Sequence, residues 1–273
     1  MKRVPLKRLI RTYSRKIRFE KRERFAVVTL LLSLGLILTQ IIWTDFRFSA
    51  AIVITILTYP LCVWAIKEDI GGSEWLTLFI LPVLFTLSVA LFYFLLPVRW
   101  LTRVPTVIFY AVGMYAILLS ENIYNVAANR SIQLLRAAQS VGFLITLVIL
   151  FLFVNIIFSF HLPIWQNFIV LSIIATFLYL QLFWAVLLEE RISKRLLSLC
   201  LFLGFGIGEL AYAFSYWPIR STILALFISA VFYSIGGIVQ EHLLEKLFKG
   251  VVGEYMWVTG AVFVLVLLAT QWQ

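Results

Sequence analysis

Charge and chemically reactive side chains are what this sequence has least of. Only 13% of its 273 residues are Asp, Glu, Lys or Arg, while 63% are hydrophobic and the mean hydropathy is +1.01; a soluble domain carries about a quarter charged residues. Such a chain cannot cover its apolar surface in water, which excludes a soluble globule. It has two histidines, His161 and His242, in separate loops, and two cysteines, Cys62 and Cys200, each inside an apolar run. That inventory assembles no zinc or haem centre and implies no cofactor. The two thiols read as small buried hydrophobes rather than a disulfide. No His-Glu-x-x-His occurs, so the usual intramembrane metalloprotease is excluded. No nucleophile and base can be paired, and no stretch has the composition of a linker or a soluble domain.

What is present is apolar sequence in blocks long enough to cross a hydrocarbon core, which takes about 20 residues of helix. Nine such blocks stand out, at 25–43, 48–66, 75–97, 104–121, 140–162, 164–187, 196–216, 219–238 and 255–272. Pro97, Pro163 and Pro218 fall where a helix entering a tight turn should stop. The pattern predicts an all-α integral membrane bundle of about nine transmembrane helices, residues 25–273, behind a basic tail over residues 1–24. The first block is of spanning length with no convincing cleavage site, so the tail is expected to be kept. On the side opposite the tail, "FSFHLPIW" (158–165) and "FSYWPIR" (214–220) are weakly alike; a short turn with a Pro and an interfacial aromatic accounts for that without a duplication.

The tail, "MKRVPLKRLIRTYSRKIRFEKRER", holds 11 of the 23 Lys and Arg, including Lys2, Arg3, Lys7, Arg8, Arg11, Arg15, Lys16 and Arg18. Leu6, Leu9, Ile10, Tyr13 and Ile17 share one helical face, the pattern of a helix lying on anionic lipid head groups. The tail lacks the regular aromatic interleaving that would stack successive bases, which argues against nucleic acid as a partner. With the tail in the cytoplasm, that side collects 19 Lys and Arg against 4 on the other. The bias predicts a multi-pass protein of a bacterial inner membrane, N-terminus cytoplasmic and C-terminus outside.

Two polar features interrupt the apolar chain. In "ENIYNVAANRSIQLLRAAQS" (121–140), Asn122, Asn125, Asn129, Gln133, Arg136 and Ser140 recur at spacings of three and four, one stripe of a helix. The stripe reads as the wet face of a connecting helix on the cytoplasmic surface, or, folded inward, as carboxamides lining a path or bonding neighbouring helices. This stretch, with the "VGFLITL" that follows, resembles segments of uncharacterised multi-span bacterial membrane proteins. The resemblance, over residues 120–147, implies no activity and no functional residue. The "EERISK" of 189–194 is similar to the paired-glutamate motif of the CAAX-processing protease family, but that motif ends in Arg where this chain has Lys194, and the family's later histidine motifs are missing. It and "KEDIGGSE" (67–74) read as solvated loops.

The second feature is "LGFGIGELAYAF", 203–214. Gly204 and Gly208 form a small-xxx-small pair that admits a close helix, and Gly206 thins the other side. Glu209 follows inside the apolar run, where a carboxyl is costly to ionise, about 2.5–3.5 kcal/mol for Asp at mid-membrane. Asn155, at matching depth on another span, and Tyr212, one turn on, are its expected partners. Two functions are open: a non-catalytic scaffold or assembly component that recruits membrane-protein partners through the glycine face, or a small proton-linked permease that works through Glu209.

Overall fold

A computed structural model describes residues 20–41, 46–67, 70–97, 99–127, 133–246 and 248–270. The tail residues Lys2 to Arg18, and Asn129, lie outside the described residues. Among those described, the chain is all-helical, with nine helices: α1 Lys21–Ile41, α2 Arg47–Ile66, α3 Glu74–Leu95, α4 Trp100–Ala127, α5 Leu135–Ser159, α6 Ile164–Leu187, α7 Lys194–Phe214, α8 Ser221–Leu243 and α9 Lys249–Ala269. The last eight are long and apolar enough to cross a membrane. The first opens on the charged Lys21–Arg24 turn before its apolar run. The protein is a multi-pass membrane helix bundle.

Short connections between long, mutually packed helices make neighbours antiparallel. One end of the bundle, called here the near end, therefore gathers the start of α1 and the connections α2–α3, α4–α5, α6–α7 and α8–α9. The centre is held by α3, α5 and α6, in each of which 61% of the span is buried; α9, packed chiefly on α8, is 6% buried and closes the bundle at one edge.

With little hydrophobic drive between helices in lipid, small residues and buried hydroxyls do much of the joining. Thr58 on α2 donates to Thr86 on α3 at 3.1 Å, and Thr86 lies 2.9 Å from the Tyr110 hydroxyl on α4. On α8, Ser234 is 2.6 Å from the Thr259 hydroxyl and donates to the Tyr255 carbonyl at 2.7 Å, while Gly237 faces the Tyr255 ring so closely that a methyl group would not fit. Gly204 and Gly208 of α7 both press on α6: a Cβ at Gly204 would meet the Thr176 hydroxyl, and one at Gly208 the Ser172 hydroxyl and, at 2.7 Å, the Phe168 carbonyl.

The near-end loops are docked rather than merely solvated. Gly72 adopts φ +49°, and its chain runs against the Glu190 carbonyl; the Ser73 amide donates to that carbonyl at 2.9 Å, and the Ser73 hydroxyl to the Glu189 carbonyl at 2.8 Å. The Trp184 indole N–H donates to both the Ser73 Oγ and the Glu189 carbonyl, at 3.2 and 3.0 Å. "GGSE" and "EERISK" thus form one junction through backbone groups, and the Glu189 and Glu190 side chains point to the surface.

Candidate functional site

Two carboxyl-bearing sites within the spans differ in direction: the one at Glu121 is folded into the core and the one at Glu209 faces out of it.

The inward group is built on α4 and α6. The helix that sequence reading stops at residue 121 runs on to Ala127, because its next turn has its own buried anchor: Tyr124 is 1% exposed and donates to the Ala138 carbonyl of α5 at 2.7 Å, in space that only a glycine at 142 leaves open. The extension carries Glu121 into the protein, 1% exposed, where the Gln181 Nε2 donates to its Oε1 at 2.8 Å. Glu121 and Gln181 each lie six residues, about 9 Å, from the near end of their helices. The remaining oxygens of the pair, Glu121 Oε2 and Gln181 Oε1, accept no hydrogen bond from any described residue. Gln181 also lines a cavity of about 10 Å³ with Tyr124, Gln139, Thr146 and Gln240. That is the space one water molecule needs, and the Gln240 Oε1 is likewise without a protein donor among the described residues.

The stripe of residues 121–140 is therefore not one surface helix. Asn125 is buried and Asn122 half-buried on α4, whereas Gln133, Arg136 and Ser140 are exposed where α5 begins. The break between Ala127 and Leu135 turns the two halves in different directions. Neither Glu121 nor Gln181 was picked out by sequence reading: Glu121 sits at the apparent end of an apolar block, and Gln181 is a lone amide in one.

The outward group is on α7. Glu209 does not meet Asn155 and Tyr212 in one site. Asn155 is turned to α8, its Nδ2 donating to Thr222 at 3.1 Å and its Oδ1 accepting from Ser159 at 3.3 Å. Tyr212 accepts a hydrogen bond from the Tyr216 hydroxyl at 3.3 Å, with the rings edge-on at 5.8 Å. Glu209 itself is exposed on the bundle exterior. The reason is helical geometry: at 100° per residue it stands about 140° around the helix from Gly204, and the Gly204–Gly208–Ala211 face is spent against α6. Leu201, Phe205, Tyr212 and Tyr216 share its outward stripe, each between 45% and 66% exposed. Gly206 opens on the same side, with nothing within 4 Å of where its Cβ would stand. Among the described residues none bonds to Glu209.

Residues 34–269 match a family described as "Protein of unknown function (DUF5656)". The chain belongs to that family. The matched region takes in Glu121, Gln181 and Glu209 and leaves out the basic tail. Comparison with curated proteins and with solved structures gives no match.

Proposed function

We propose that this DUF5656 protein is a non-catalytic assembly component of the membrane, which docks another membrane protein on the outward stripe of α7. The observation that carries the reading is Glu209, a carboxyl inside an apolar helix, five residues or about 7–8 Å from its Phe214 end, facing away from the protein's own polar core. An acid that faces lipid is expensive and marks a partner or pathway. Gly206 beside it lets a helix approach closely, and Leu201, Phe205 and Tyr212 supply the packing surface. The occupant is a transmembrane helix with a hydrogen-bond donor (Lys, Arg, His, Asn or Gln) at the depth of Glu209. The recruiting surface is thus the Glu209–Gly206 side, since Gly204 and Gly208 are engaged within the chain.

A photo-crosslinking residue at Phe205 tests this in intact membranes. The expected crosslink maps to a donor-bearing transmembrane helix of a different protein and is lost in Glu209→Leu and Gly206→Leu, whose melting behaviour stays that of wild type. Crosslinks to lipid alone, or to a second copy of this chain, overturn the assembly role. The permease alternative receives less support, because Glu209 lies on the exterior rather than beside the Gln181 cavity; loss of pH-driven flux on Glu209→Gln in proteoliposomes would restore it. The basic tail is read as a cytoplasmic anchor on anionic head groups of the inner membrane, and deletion of residues 2–16 should lower retention on anionic vesicles.

A further inference from the structure

A second surface, separate from the α7 stripe that carries the assembly reading, lies at the near end where α6, α7 and α8 diverge. Because α7 leans on α6 through Gly204 and Gly208 and packs far less on α8, the ends of the three helices leave a cleft of about 730 Å³. That falls within the size range of small-ligand sites, about 300–1,000 Å³.

The cleft has a charged mouth and an apolar floor. Glu189, Arg195, His242 and Glu245 line it at the helix ends. Leu199, Phe202 and Val239 line it deeper, Phe202 eight residues or about 12 Å along α7 from its start. Polarity therefore falls along the membrane normal, as it does along an amphiphile with its head at the interface and its chain toward the core. Among the described residues, none of Glu189, Arg195, His242 and Glu245 at the mouth is ion-paired or hydrogen-bonded through its side chain to another of them, although charges of both signs are present. A cleft whose acids and bases are left unpaired offers separate places for an anion and a cation.

We infer that this cleft binds one phospholipid whose head group carries both a phosphate and a primary amine. Arg195, with its planar fork of donors, suits the phosphate, and His242 adds a second donor. Glu189 and Glu245 accept from the ammonium, which has three N–H donors. A quaternary ammonium has none, and is held instead by aromatic cages; the mouth residues are charged and hydroxyl-bearing, so the site discriminates against choline head groups. The apolar floor takes the first part of an acyl chain.

Native mass spectrometry of the full chain, released from nanodiscs containing equal phosphatidylethanolamine, phosphatidylcholine and phosphatidylglycerol, tests the inference. One ethanolamine lipid should survive delipidation, bound on the order of tenfold more tightly than the choline lipid, a difference of about 1.4 kcal/mol. Glu189→Gln with Glu245→Gln should erase that preference, and Arg195→Gln should weaken both phospholipids; these residues are exposed, so the variants should fold. Val239→Trp, which fills the floor, should displace the lipid. Soluble glycerophosphoethanolamine should bind far more weakly than the intact lipid. Equal retention of all three lipids, an unchanged preference in the double Gln variant, or equal binding of the soluble head group overturns the assignment.

Discussion

The three glycines of α7 are chemically identical and lie within five residues of one another, yet the structure gives them opposite consequences. A Cβ at Gly208 would stand on the Ser172 hydroxyl and 2.7 Å from the Phe168 carbonyl; one at Gly204 would stand on the Thr176 hydroxyl and 2.8 Å from both the Ser172 carbonyl and the Thr176 amide nitrogen. A serine or threonine can rotate away, but the backbone atoms move only if α6 and α7 separate. Overpacking of this kind costs about 1–3 kcal/mol, occasionally more, and a gap of 0.5–1 Å would also forfeit roughly a quarter to a half of the dispersion energy of the contacts along the seam. At Gly206 nothing lies within 4 Å, so alanine there should keep only its helix-propensity advantage, about 1 kcal/mol. That gain is common to both sites and cancels, so Gly206→Ala and Gly208→Ala should differ by the overpacking cost, about 1–3 kcal/mol. At roughly 2–4 °C per kcal/mol for a chain of this size, thermal melts in one detergent should separate them by about 2–12 °C, with Gly204→Ala beside Gly208→Ala. The double variant Gly204→Ala with Gly208→Ala should cost less than the sum, because helices already parted accept the second methyl cheaply. A Gly208→Ala protein that melts at or above Gly206→Ala would refute the close-packed seam.

Three further outcomes follow from the fold. Gly72→Ala places a side chain in the left-handed region, at about 1–2 kcal/mol, and against the Glu190 carbonyl, so the docked loops should open and become sensitive to limited proteolysis between residues 188 and 194 while the helices stay intact. Glu121→Gln keeps an acceptor for the Gln181 amide and should melt close to wild type, whereas Glu121→Leu strands that buried donor and should cost about 1–3 kcal/mol in a denaturant series. Ser234→Ala removes the two Ser234 bonds to Tyr255 and Thr259 and leaves the longer 3.3 Å bond from Thr259 to the Ala230 carbonyl, and since α9 packs chiefly on α8, hydrogen exchange should rise in α9 and not in α5.

Most of the fold was legible because lipid imposes a simple rule: every spanning segment must be apolar for about 20 residues and must bond its own backbone. The blocks at 48–66, 75–97 and 164–187 accordingly match α2, α3 and α6 to within two residues at each end. Ends failed where a polar residue belongs to the interior. The reading ended the span at Glu121 and gave residues 121–140 to a separate connecting helix because of their polar stripe, while tertiary anchors at Tyr124 and Gln181 carry α4 to Ala127. Likewise α9 starts at Lys249 rather than 255, since Glu254 does not interrupt a helix that already sits at the bundle edge. The Glu209–Asn155 pairing failed for a different reason. Matching depth says nothing about azimuth, and the azimuth was present in the sequence: the small residues at 200, 204, 208 and 211 define one face, and Glu209 stands well away from it. The Glu121–Gln181 pair had no such signal, because it joins residues 60 apart on helices whose adjacency only packing decides.

The two carboxyls separate what a membrane acid can be. Glu121 is bonded from within by Gln181, so its loss should register as stability, whereas Glu209 has no donor within its own chain among the described residues, and its loss should register elsewhere. Near the end of its helix, Glu209 could still serve as a carboxyl that reaches toward the interface and does nothing more, and moving the acid distinguishes the two roles. In Glu209→Leu with Tyr212→Glu, the carboxyl stays on the outward stripe but shifts three residues, about 4.5 Å, toward the helix end. A carboxyl that only snorkels should be at least as content there, and membrane insertion and melting should equal wild type. A partner donor fixed at the depth of Glu209 would lose its acceptor, because a hydrogen bond tolerates only a few tenths of an ångström beyond about 3.2 Å. The crosslink from position 205 should then fall as far as it does in Glu209→Leu alone. Recovery of the crosslink in the shifted variant would mean that any acid on this face suffices, and that the stripe docks its partner by shape rather than through Glu209.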